Sequence, residues 1–117
     1  MNVEELREYC LSLKGVTEDF PFDEETLVFK VAGKMFCLMN LDGPLSVNLK
    51  NEPDKNIELR EQHGCIKPGY HMSKIHWNTV EIDGSLPDDL VKTLIDESYD
   101  LVVMKLNRHE QQLLKNY

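Results

Sequence analysis

The sequence predicts an α+β fold of two layers, an antiparallel sheet of four to five strands with helices packed on it, in the order α-β-β-β-α-β(β)-α-α. Apolar residues recur at helical spacing near both ends of the chain, and short β-rich runs fill its middle. The turns joining those runs are tight, which leaves antiparallel pairing as the natural arrangement. At 117 residues, 41% apolar and 29% charged, the chain is expected to form one domain, 1–117, with a packed core and no need of disulfides.

Asn2, followed three residues on by Glu5, has the pattern of a capping box. Leu6, Tyr9, Cys10 and Leu13 then trace one face of a helix over 3–14 that stops at Gly15. From Val16 to Thr26 five acids and Pro21 fit neither the helical nor the strand period, so this segment reads as a loop. Leu27 to Ala32 and Met35 to Leu41 are strands joined by Gly33-Lys34, where Gly suits a type II′ hairpin turn. After Asp42-Gly43-Pro44, Leu45, Val47 and Leu49 alternate with Ser46, Asn48 and Lys50, which predicts a third, half-buried strand of a meander.

Pro53, with Asn51 or Glu52 ahead of it as cap, starts a short, largely exposed helix that Gly64 ends. The segment from Cys65 to Ile82 predicts one clear strand over 78–82 and leaves room for a short one before it. Ser85, Pro87 and Asp88 open the strongest helix, in which Leu90, Val91, Leu94, Ile95, Leu101 and Val102 form one broad stripe. The tail 107–117 carries Leu113 and Leu114 in a helix-compatible setting, without a sequence signal for where it docks.

Cys10, Cys37 and Cys65 are widely spaced and odd in number, which fits reduced thiols and a cytoplasmic protein better than a secreted disulfide framework. The N-terminus lacks the pattern of a signal peptide, and no apolar run has the length of a membrane span, so no membrane association is expected. The net charge of −8 opposes loose attraction to phosphate. It is unevenly spread: Gln62 to Val80 contains no acid and is +2, leaving −10 on the remainder.

That acid-free segment holds Lys67, Tyr70, His71, Lys74, His76, Trp77 and Asn78, including the only Trp. Rings and donors on a Pro-Gly turn suit a nucleic acid, a phosphate or a planar ligand. The same residues admit a structural role, in which Tyr70 and Trp77 cap the core edge while the histidines sit in solvent. Tyr99, inside the strongest helix, has two readings as well. Either it lies across the sheet end beside Ser98, or its hydroxyl lines a pocket together with the Trp77 region.

The run from Pro68 to Val80, with Ser98-Tyr99-Asp100-Leu101-Val102, Asp19-Phe20-Pro21-Phe22 and Lys34-Met35-Phe36, resembles the MmcQ/YjbR-like proteins of bacteria. The likeness covers nearly the whole chain and departs at Leu106-Asn107-Arg108, where a Leu-Pro pair is often found. It implies a two-layer fold shaped like type III secretion chaperones, DNA binding through a motif described as a double wing, and no enzymatic activity.

His71 and His76, five apart, fall on opposite faces of a strand and miss the i, i+4 spacing of a helical zinc pair. No calcium-loop spacing, phosphate-binding glycine loop or nucleophile elbow occurs, so neither metal nor cofactor is expected. The expectation is therefore a non-enzymatic binding domain acting through the acid-free face around 67–78, with nucleic acid as the partner the resemblance implies. The alternatives are a protein-interaction or chaperone-like module, which could be a homodimer, and a small-molecule-binding protein.

Overall fold

The computed structural model describes residues 1–117. Helix α1, Val3–Ser12, begins with the full capping box between Asn2 and Glu5, and the chain leaves it through Gly15 at φ +70°. Strand β1, Val16–Asp19, follows directly and pairs antiparallel with β2, Thr26–Val31. This corrects the expectation of a loop from Val16 onward. β1 is an edge strand, and edge strands tolerate charge. Glu18 pairs with Arg7, and Asp19 lies 3.6 Å from Lys30.

β2 turns into β3, Lys34–Asn40, at Ala32-Gly33, with φ of 50° and 75°. Two successive positive φ values define a type I′ turn, one residue earlier than the type II′ turn expected at Gly33-Lys34. The register then shifts, with Phe29 opposite Cys37 but Lys30 opposite Met35. Phe36 is thus the extra residue of a bulge, and its ring turns toward the helices.

The sheet continues through β4, Ser46–Lys50, and, after helix α2, Pro53–Gln62, through β5, Ile66–Pro68, and β6, Trp77–Glu81. All neighbours are antiparallel in the order β1-β2-β3-β4-β6-β5, six strands against the four to five expected. β1 is the unforeseen one.

Helix α3, Asp88–Met104, lies across β3 and β4 beside α1. Phe29, Met39, Val47 and Val80 from the strands pack with Leu6, Cys10, Leu94 and Ile95 from these helices in one main core. Ser98 brings α3 close to the sheet. Its hydroxyl donates to the Phe36 carbonyl at 2.6 Å and accepts from the Lys50 amide at 2.9 Å, just past the last β3–β4 pair at Cys37 and Leu49. It therefore satisfies two backbone groups that the ladder leaves over.

Helix α4, Arg108–Leu114, starts on a second full capping box, Asn107 with Glu110. It docks by Leu114, whose Cδ1 comes so near Gly15 that a Cβ there would sit 2.6 Å away. No helix is long and apolar enough to cross a membrane.

Candidate functional site

Both helices of the main core lie on one face of the sheet, so the other face has no helix over it. Strand alternation sends every second residue there, and the registers arrange these residues in rows across the strands. One row is Thr26, Asn40, Ser46 and Glu81, and the next is Val28, Leu38, Asn48, Thr79 and Lys67. A cleft of about 980 Å³ opens above them.

One end of this face is closed by the chain's own loop. Trp77, buried, packs against Val28 and Leu38, and Met35 and Met72 complete this second small core. The loop between β5 and β6 is clamped from behind by α2. Arg60 donates from Nε to Asn78 Oδ1 at 2.6 Å and from Nη2 to the Lys74 carbonyl, while Asn56 Nδ2 donates to the Ile75 carbonyl at 3.0 Å. Asn56 Oδ1 is buried without a partner beside a void of about 10 Å³, room for a water molecule and not for a ligand.

From the front, Thr79 and Asn48 hold the tip of the loop. Thr79 Oγ1 accepts from the Tyr70 amide at 2.9 Å and donates to Asn48 Oδ1 at 2.5 Å, and Asn48 Nδ2 donates to the Tyr70 carbonyl at 3.3 Å. The backbone is fixed, yet the Tyr70 side chain is 69% exposed. Its ring centroid lies 4.0 Å from that of His71, which adopts φ +59°, a conformation that costs a residue with a Cβ roughly 1–2 kcal/mol.

The sequence-predicted residues separate accordingly. Tyr70 and His71 line the cleft and are exposed. Lys67 lines it as well, but its Nζ is 2.5 Å from Glu81, and that hydrogen bond and charge raise its pKa. Lys74 and His76 are exposed, with Lys74 Nζ donating to the Gly69 carbonyl at 2.9 Å. Trp77 and Asn78 are structural, the first filling the small core and the second joining Arg60 to the Asn56 carbonyl. Both are buried, so Trp77 takes the structural role at the core edge, whereas Tyr70 does not.

Tyr99 does not share a pocket with Trp77. It sits on the helix-covered side, edge-on to Phe36 with centroids 5.4 Å apart, and its hydroxyl donates to the Lys14 carbonyl at 2.6 Å. Burial, then the nearby Asp100, pushes its pKa up. Residue 77 points away from the helices and α3 lies on the opposite face, so the sheet itself stands between the two rings.

The acid-free face does not survive folding either. Asp23, Glu25, Asp42 and Glu81 all line the same cleft, against one lysine. Asp23 accepts from the Glu25 and Thr26 amides at 2.9 and 2.7 Å, and these bonds lower its pKa. It is fully charged at neutral pH. Sequence reasoning missed Phe22, Asn40, Ser46, Asn48 and Thr79; the available signal was that Asn40, Ser46 and Asn48, at outward positions of β3 and β4, are amides and a hydroxyl where charged side chains are usual.

A family model described as YjbR matches residues 11–101. The chain is 34% identical over 115 residues to the YjbR protein of Escherichia coli strain K12, covering 97% of this chain and 98% of that one. It is 36% identical over 113 residues to YbdF of Escherichia coli O157:H7, covering 96% and 93%. Among solved structures it superposes on protein DR2400 of Deinococcus radiodurans with a TM-score of 0.92 and 41% identity, over 97% of this chain and 88% of that one. A Pseudomonas syringae protein follows the same fold with a TM-score of 0.76 and 26% identity, over 86% and 98%.

Proposed function

The chain belongs to the YjbR family, and from that premise we propose that it is a non-enzymatic binding domain whose ligand site is the cleft on the helix-free face of the sheet. One observation carries the reading. The backbone of Tyr70 is pinned to the sheet by two hydrogen bonds, from its amide to Thr79 and to its carbonyl from Asn48, which are bonded to each other, while its ring is left uncovered at the cleft, beside a residue held at positive φ. A packing role would bury the ring, and a merely solvent-exposed one would not call for such fixing; strain held in place by its surroundings belongs to sites.

The floor supports binding rather than chemistry. Thr26, Asn40 and Ser46 offer neutral donors and acceptors that orient a ligand. His71, the one histidine at the cleft, lies against Tyr70 with the two rings tilted by 51°, and its side chain hydrogen-bonds to no carboxylate or hydroxyl of the protein.

Nucleic acid, the partner the resemblance implies, is a second reading favoured by exposed Lys74 and His76 on the same loop. The carboxylates at the cleft oppose it there, so phosphates would engage the outer side of the loop.

A fragment-library titration followed by amide NMR tests the proposal. Ligands should shift the amides of Thr26, Asn40, Tyr70 and Thr79, and Tyr70→Ala should weaken them about tenfold while changing stability by less than roughly 0.5 kcal/mol. A library without any shift in the cleft would sink it. Short DNA, titrated at low and high salt, that moves only the resonances around Lys74 and His76 would favour the second reading.

A further inference from the structure

The cleft is polarised along the strands. In its first row, Thr26, Asn40 and Ser46 run to Glu81, and the carboxylates gather at that end. Glu25 precedes Thr26, Asp42 follows Asn40 by two residues, and the Leu41 amide donates to the Glu25 carbonyl at 2.8 Å, tying the two segments together. The apolar and aromatic groups lie toward the second row: Met35 and Met72 pack around Leu38 there, and Tyr70 is bonded to the row's Asn48 and Thr79, while its one cation, Lys67, is matched by Glu81.

The charges at the acidic end are not equivalent. Glu81 is matched by Lys67, and Asp23 is occupied by the Glu25 and Thr26 amides. Glu25 and Asp42 belong to no ion pair, and their carboxylates accept no hydrogen bond from the protein. Two unmatched anions at the edge of a cleft with apolar and aromatic groups toward its second row complement a single kind of occupant.

We propose that the cleft takes an amphiphilic organic cation, its ammonium or guanidinium group against Glu25 and Asp42 and its apolar or aromatic body against Tyr70 and the half-buried Met35 and Met72. This rests on the cleft being the binding site and adds the charge and shape of what binds. Successive residues on one face of a strand are about 7 Å apart, and Asp42 lies two residues beyond Asn40 of the first row while Tyr70 is held on the second, so cation and ring are more than one such step apart and are joined by a chain of several carbons. An exposed tyrosine face attracts cations as well, so a ligand that slides along the cleft keeps part of its affinity.

The test uses phenylbutylammonium, with phenylbutanol as its neutral and phenylbutyrate as its anionic counterpart, each titrated into the full chain and followed by amide NMR. The ammonium should shift Thr26, Asp42 and Tyr70 and bind about tenfold more tightly than the alcohol, an advantage lost at high salt. In the Glu25→Gln, Asp42→Asn double variant its affinity should fall to that of the alcohol, which the substitutions leave unchanged. If the alcohol or the butyrate binds in the cleft as tightly as the ammonium, or the variant keeps the difference, the charge inference falls and the binding site stands. If none of the three shifts a cleft resonance, both fall.

Discussion

The two faces of the sheet are built from the same alternating strands and end up unlike. On the helix-covered face Phe29, Met39, Val47 and Val80 meet α1 and α3 in one continuous core. On the other face burial is confined to Val28, Leu38 and Trp77, roofed by the protein's own loop through Met72, and the rest is a polar floor. Alternation divides residues between two faces, and an antiparallel sheet can leave one of them to water. A face covered by helices holds most of the buried core, whereas one covered only in part by a loop leaves the remainder open as a cleft.

Truncating Phe29 should break the protein most. It is fully buried in the helix-side core, and Phe29→Ala should cost about 3–5 kcal/mol by denaturant unfolding. A cost below about 1 kcal/mol would mean that the two faces share stability more evenly than their packing indicates.

A smaller effect is expected from Thr79→Val on the open face. The substitution keeps the shape but removes the acceptor of the Tyr70 amide and the donor to Asn48, for about 1 kcal/mol. Hydrogen exchange at the Tyr70 amide should speed up while exchange at β2 and β3 stays slow. Unchanged exchange at Tyr70 would show that the clamp by Arg60 and Asn56 suffices.

An effect confined to high pH, and absent at neutral pH, belongs to the helix layer alone. Burial, then the hydrogen bond to Asp96 at 2.6 Å, pushes the Tyr9 hydroxyl up to about 12. A raised pKa means that folding favours the protonated phenol. That contribution is complete below about pH 10, the ordinary tyrosine value, and is lost as the pH climbs from there through about 12. Tyr9→Phe should flatten the fall in stability over that window, and a variant with an unaltered slope would refute the assignment.

Much of the fold was legible because local physics decided it. Asn2 with Glu5, the stripe from Leu90 to Val102, and Val47 and Leu49 alternating with Asn48 each point to one element, and each forms it. β1 was not legible, since Glu18 and Asp19 are tolerated only because the strand lies at an edge with Arg7 and Lys30 beside it. The site was half legible. Tyr70 and His71 stand at the cleft, but nothing local to Trp77 says that Val28 and Leu38 will receive it.

The sequence alone set the helices and most of the strands and, within a regular strand, which side chains share a face, because periods of 3.6 and 2 are properties of the chain; β1 and the bulge at Phe36 were set by tertiary contacts. Folding in three dimensions settled which face the helices cover and which acids line the cleft. Glu25 and Asp42 are 17 residues apart from each other and farther from Tyr70, and strand register, not proximity in sequence, brings them to one cleft. Charge counted along the chain therefore reports a basic segment, whereas charge summed through space reports an acidic site.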